Sequence, residues 1–232
     1  MHFARPGVLA LALIALARTA PAQQAMAMDA KKDMKEMSHE TVTYTVTLHG
    51  RWTAANFPVE YPAGAHFSGL IGATHVAGWH LYNEGAMPTA GLERLSEMGR
   101  HQPLDAEIRS VITSGRAGAL IESGPLKDFG DSVVTTVTID ARFPFISLVA
   151  MIAPSPDWFA GVADIDLRDM GGWAATKTVE LMAYDSGGDE GTTYLAADID
   201  NSPKHATMRA SARHFAVGGK PMPVATITFV RK

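Results

Sequence analysis

The stretch Pro154-Ser155-Pro156-Asp157-Trp158-Phe159 places a carboxylate between two prolines and two aromatic side chains. It follows an apolar run at positions 146–152, so Asp157 is predicted to lie in a loop just past a strand, where proline fixes the backbone and removes a donor. Trp158 and Phe159 are expected to anchor this loop in the core. The alternative is a membrane-inserting tip beside a cation site.

A second acidic loop, Tyr184-Asp185-Ser186-Gly187-Gly188-Asp189-Glu190-Gly191, follows another apolar run at positions 179–184. It carries Asp185 and Asp189 four residues apart around glycines. Aspartate oxygens suit calcium, and glycine allows the backbone to wrap around an ion. The two loops therefore predict a hard-cation site, with solvated turn aspartates as the alternative.

The distribution of charge agrees with an acidic site. The chain carries a net charge of -4, whereas residues 157–200 alone contain ten acidic and two basic side chains. Clustered carboxylates repel one another unless a cation or protons neutralise them. The mild negative charge of the whole chain argues against a nucleic-acid partner, which requires a basic face.

The N-terminal segment resembles a secretory signal peptide over residues 1–22. Arg5 precedes an apolar core at positions 8–17, and Ala20-Pro21-Ala22 provides a small-residue cleavage site. No later stretch is long and apolar enough to span a bilayer, so we expect a soluble secreted or periplasmic protein. The 232 residues contain no cysteine, so the core must supply the stability that disulfides give many secreted domains.

The polar segment 23–40 is predicted to be a flexible leader before a single domain at residues 41–232. It is rich in methionine and contains His39, so a site for a soft metal such as copper(I) is the alternative.

Alternating apolar residues after the leader predict a mainly β protein, an antiparallel sandwich with one or two short helices covering the sheet. Apolar stripes predict one helix ending at a Gly99 cap and a second helix ending before Gly115. The predicted strands cover residues 41–48, 133–139, 146–152, 178–183 and 224–230.

The alternative function is a metal-dependent hydrolase that uses the same carboxylates or a zinc site of His66, His75 and His80, which lie within fifteen residues. Their spacing matches no helical His-x-x-x-His pair, so packed or hydrogen-bonded histidines are favoured. Ser68 and Ser147 lack the Gly-x-Ser-x-Gly turn of a serine hydrolase.

Several motifs, in this order, resemble the spondin domain of extracellular matrix proteins such as F-spondin and mindin. The resemblance covers about residues 43–231, nearly all of the chain after the leader. Its motifs are Gly50-Arg51-Trp52, Phe57-Pro58, Tyr61-Pro62, Ala65-His66-Phe67-Ser68, Ile71-Gly72-Ala73-Thr74-His75, the Gly91 to Gly99 helix, the stretch from Pro154 to Gly161, and the loop from Tyr184 to Asp189.

The resemblance implies a C2-like β-sandwich with a calcium ion held by Asp157, Asp185 and Asp189. Taken with the predicted signal peptide, it favours an exported, non-catalytic module for binding or adhesion to a protein, a glycan or a cell-envelope component, whereas adhesion to animal receptors is not carried over. The chain looks similar to bacterial single-domain members. It departs from the animal pattern because cysteines are absent, and Ser186 and Gly188 stand where the family has Ala and Thr.

Overall fold

The computed structural model describes residues 40–126, 132–170 and 172–232. The predicted signal peptide at residues 1–22 and almost all of the predicted leader lie outside the described residues. Both stay predictions from sequence.

The described residues form thirteen strands, and eight of these are seven to ten residues long. They are β1 (Thr41–Gly50), β2 (His66–His75), β3 (Ala117–Leu126), β4 (Ser132–Asp140), β5 (Phe145–Ala153), β6 (Trp158–Asp166), β7 (Arg168–Asp169), β8 (Gly172–Trp173), β9 (Thr176–Asp185), β10 (Met208–Arg209), β11 (Ala216–Val217), β12 (Lys220–Pro221) and β13 (Ala225–Arg231).

The long strands form one antiparallel sheet in the order β3-β2-β5-β6-β9-β13-β1-β4, with β10 added beside β9. The two ends of this order approach each other, since Thr135 Oγ1 on β4 donates a 3.1 Å hydrogen bond to Glu122 O on β3. The sheet is therefore nearly closed, and the predicted antiparallel, mainly β architecture is confirmed.

Trp158 and Phe159 connect the two cores of the molecule. They are adjacent at the start of β6, and successive side chains of a strand point to opposite faces. Trp158 is buried in the larger core with Trp52 and Phe67. Phe159 is buried in the core beneath the helices with Leu95. The predicted aromatic anchors are confirmed, and neither ring forms an exposed tip.

Two helices cover this second core, as predicted. Helix α1 (Ala90–Met98) starts where Thr89 Oγ1 accepts the backbone N–H of Leu92, and it ends at Gly99 in the left-handed conformation with φ 65°. Helix α2 (Leu104–Thr113) packs beside it, and α3 (Ala212–Phe215) is a single turn. No helix in the described part of the chain is long and apolar enough to cross a membrane.

Candidate cation site

Asp157 lies in the loop between β5 and β6, and its side chain is completely buried. Its Oδ2 accepts hydrogen bonds from Ser186 Oγ at 2.9 Å and from the backbone N–H groups of Gly187 and Gly188 at 2.9 Å and of Asp189 at 3.2 Å. Four donors on one oxygen tie the loop after β9 to the loop before β6. The two acidic loops predicted from sequence therefore meet.

The backbone of this loop requires glycine at position 187. Gly187 has φ +91°, which a residue with a β-carbon rarely adopts. A β-carbon there would also lie 2.1 Å from His205 O. The absence of a side chain thus allows the N–H groups to converge on Asp157.

The second oxygen of Asp157 has no partner. Oδ1 is buried and makes no hydrogen bond. Burial raises the pKa of Asp157, while the hydrogen bonds to the other oxygen act in the opposite direction. A buried polar atom without a partner is uncommon in a native structure and indicates either a missing ligand or stored strain.

Asp185 ends β9 beside Asp157 and shares a donor with it. The N–H of Gly187 lies 2.9 Å from Asp185 Oδ1 as well as from Asp157 Oδ2, and Trp158 Nε1 donates to Asp185 Oδ2 at 3.3 Å. Burial first, and then the charge of Asp157, raise the pKa of Asp185 to about 6. The site thus places two carboxylates together, and the charge of His205 acts on Asp185 in the opposite direction.

Asp189 holds the segment that follows. Its side chain is buried, and its two oxygens accept the backbone N–H groups of Gly191 and Ile199. The three predicted ligands Asp157, Asp185 and Asp189 lie on the same pair of loops. Their carboxylates are not grouped closely enough to bring one oxygen from each within 4.8 Å of the others. Shared coordination by all three stays a prediction.

The three histidines do not form one cluster, although His75 Nε2 and His80 Nδ1 lie 3.6 Å and 2.6 Å from the two oxygens of Asp164. His66 and His75 are the first and last residues of β2, so about 30 Å separates them at about 3.3 Å per residue. His66 Nδ1 donates to Gly64 O, whereas His80 Nδ1 lies 2.6 Å from Asp164 Oδ2. The structure gives no zinc triad of these residues.

His75 instead belongs to a buried polar network that the sequence did not reveal. Its Nδ1 donates to Val76 O at 2.9 Å, so its Nε2 accepts from Ser147 Oγ at 2.9 Å. Ser147 Oγ also accepts the N–H of Asp164 at 3.0 Å. Burial lowers the pKa of His75. His75 and Ser147 are both fully buried.

The nearly closed sheet and its acidic strand-end loops define a β-sandwich protein with a candidate cation site. The chain belongs to the Spondin_N family, whose model matches residues 42–216. The resemblance drawn from the motifs is therefore confirmed.

Three relatives show the extent of the similarity. Rat spondin-2 is 26% identical over 201 residues, which cover 81% of this chain and 61% of that protein. Human spondin-2 is 29% identical over 165 residues, 69% of this chain and 50% of that protein. Rat spondin-1 is 29% identical over 170 residues, 71% of this chain and 21% of that protein. The chain thus matches about a fifth to three fifths of these relatives.

Proposed function

We propose that this chain is an exported spondin domain that binds calcium between its two acidic loops and acts by binding a partner, without catalysis. The observation that carries the proposal is the buried, unpartnered Oδ1 of Asp157 beside the carboxylate of Asp185. A cation would satisfy that oxygen and remove the repulsion between the two charges.

Calcium is the ion that these ligands suit best. The three predicted ligands are all carboxylates, and calcium accepts six to eight oxygen ligands in flexible geometry. Asp157, Asp185 and Asp189 would hold the ion, because a carboxylate oxygen that already accepts one hydrogen bond keeps further acceptor capacity. The ion would contribute charge neutralisation and would cross-link the loops.

The cross-linked loops would present a surface to a partner. Ile199, whose N–H is held by Asp189, is 49% exposed, and Leu195 on the same segment is 78% exposed. Exposed apolar side chains on a segment fixed by an ion provide contact area for a protein, a glycan or a cell-envelope component. Export is supported by the pattern of residues 1–22, and adhesion by the family.

Thermal unfolding with calcium and with a chelator tests the calcium proposal. Free calcium at about 100 times the Kd should stabilise the wild type by about 2.7 kcal/mol. The variants Asp157→Asn and Asp185→Asn should gain clearly less. Glu84→Gln is the matched control, since Glu84 is an exposed carboxylate 3.5 Å from Arg209, and it should gain as much as the wild type.

Two results would overturn the proposal. If calcium does not change the unfolding temperature of the wild type, the protein has no stabilising calcium site. An equal gain in the wild type and in both Asp variants would place the stabilising ion elsewhere on the protein.

A further inference from the structure

A second acidic cluster lies beside the same loop. Glu93 and Glu97 are one turn apart on α1, which puts them on one face of the helix. One carboxylate oxygen from each lies within 4.8 Å of the other and of an oxygen of Asp200, and this is the one such trio within residues 40–126, 132–170 and 172–232. The next residue, Asn201, donates its backbone N–H to Gly188 O at 2.8 Å. The cluster therefore lies between helix α1 and the loop that contains Gly188.

Glu97 carries one unpartnered carboxylate oxygen beside this cluster. Its side chain is only 9% exposed, and its Oε1 is buried without a hydrogen-bond partner. Its other oxygen is 3.9 Å from Arg94 Nη1, too far for a hydrogen bond. Oε1 faces Gly188, where a β-carbon would lie 3.2 Å away. A buried anionic oxygen without a donor needs a proton or a cation.

Negative charge exceeds positive charge around Glu97. Burial is the largest cause that raises its pKa, to about 7, and the charges of Glu93, Asp198 and Asp200 add to it. Only Lys204 acts in the opposite direction. Its Nζ is hydrogen-bonded to Glu93 Oε1. The Lys204 ammonium group and the Arg94 guanidinium, 3.9 Å from Glu97 Oε2, therefore face four carboxylates.

We propose that Glu93, Glu97 and Asp200 bind a second divalent cation, separate from the ion proposed between the Asp157 and Asp185 loops. The ligand class is a hard cation, and calcium fits because all three ligands are carboxylates. This site uses different residues from the proposed function and extends beyond it.

Gly188 connects the two sites physically. Its N–H donates to Asp157 Oδ2 at 2.9 Å, while its α-carbon faces Glu93 and Glu97. An ion at either site would hold the same residue in place. Binding of one ion should therefore favour binding of the other, because the first ion already orders the shared loop and the second loses less conformational entropy.

Calcium titration calorimetry of the full, metal-stripped chain tests the proposal. The wild type should bind two calcium ions. Glu97→Gln should lose one of them or bind it at least about 10-fold more weakly, because affinity follows the number of charged ligands. Asp157→Asn should lose the other ion. Glu180→Gln is the matched control, since Glu180 is an exposed carboxylate paired with Arg51, and it should keep both.

The variants separate this proposal from the proposed function. If Glu97→Gln binds as many ions as the wild type with unchanged affinities, the second site does not exist. If Asp157→Asn changes nothing while Glu97→Gln loses an ion, the proposed function fails and the second site stands.

Lys204→Met distinguishes a cation site from an internal salt bridge. Removing the ammonium group should tighten calcium binding by about 10-fold or more, because a nearby positive charge repels the ion. Unchanged calcium affinity would mean that Lys204 and Glu93 form only a structural ion pair, and it would overturn the proposal.

Crystals of the wild type soaked in manganese chloride give a test that needs no variant. The expected result is an anomalous peak between the carboxylates of Glu93, Glu97 and Asp200. A peak confined to Asp157 and Asp185, or no peak at all, would overturn the second site.

Discussion

The backbone N–H of Gly188 donates a 2.9 Å hydrogen bond to Asp157 Oδ2 across 31 positions of sequence. This contact joins the turn before β6 to the turn after β9, which lie next to each other because the two strands are paired. The other oxygen of Asp157, Oδ1, is buried and has no hydrogen-bond partner. The same carboxylate therefore organises the loop and creates the need for a cation.

Asp157→Ala should destabilise the metal-free protein by about 3 kcal/mol or more. Ser186 Oγ and the N–H of Asp189 would lose their acceptor, Gly187 would keep only Asp185 Oδ1 and Gly188 only a long contact to Ser186 Oγ. Each buried donor left unpaired costs about 1–3 kcal/mol. Urea unfolding measures the loss. Asp157→Asn keeps one acceptor oxygen and should lose clearly less. A free energy of unfolding for Asp157→Ala within about 0.5 kcal/mol of the wild type, the usual range for surface substitutions, would show that the four hydrogen bonds do not hold the loops together.

Gly187→Ala should cost about 2–4 kcal/mol, because left-handed strain adds to the close approach of His205 O. Gly64→Ala is the matched control. Gly64 also has a positive φ, +72°, but nothing lies within 4 Å of a β-carbon there, so the cost should be about 1 kcal/mol. Chemical denaturation of both variants measures the difference. Equal losses would mean that the loop moves freely away from residue 205.

Glu97 should make the metal-free protein less stable as the pH rises from 5 to 8. Its folded pKa of about 7 lies above the ordinary value of 4.5. Its contribution is therefore fully present below pH 4.5 and is lost as the pH rises through 7, at a cost of up to about 3 kcal/mol. Charges of Glu93, Asp198, Asp200 and Lys204 face this group.

Urea midpoints at pH 5 and pH 8 measure this effect in the wild type and in Glu97→Gln. The variant should lose less stability over this range, although Asp185, with a pKa of about 6, keeps part of the dependence. Glu180→Gln should behave like the wild type. A pH dependence that is identical in Glu97→Gln and the wild type would show that Glu97 is ionised freely in the folded state.

Ser147→Ala should destabilise the protein by about 1–3 kcal/mol, because His75 Nε2 and the N–H of Asp164 would lose their partner. Thermal and urea unfolding measure the change. Ser110→Ala, at an exposed position on α2, should change the stability by no more than about 0.5 kcal/mol. A Ser147→Ala protein as stable as the Ser110→Ala protein would argue that the network has no structural role.

Local patterns in the sequence predicted much of the fold. The stripe of Leu92 and Leu95 and the cap at Gly99 indicated α1, since helix periodicity and a left-handed cap are properties of neighbouring residues. The apolar runs likewise indicated β5 and β9. Strand β3 was not predicted, because Gly118, Gly124 and Pro125 interrupt its pattern and are tolerated at an edge position.

The sequence also indicated the carboxylates of the candidate site. Asp157 follows a strand between prolines, and Asp185 and Asp189 flank glycines, so their loop positions were evident before the structure. His66 and His75 do not share a zinc site, because they are nine residues apart on one extended strand, which places them about 30 Å apart.

Local sequence determined where the strands, helices and acidic turns occur, because these depend on periodicity, caps and turn residues within a few positions. The pairing of elements decided which groups meet. Only this pairing brings Glu97 on α1 against Gly188 and Asp200, and Ser147 against His75. The physical reason is that burial and charge depend on every neighbour in space, and the order of strands in the sheet determines those neighbours.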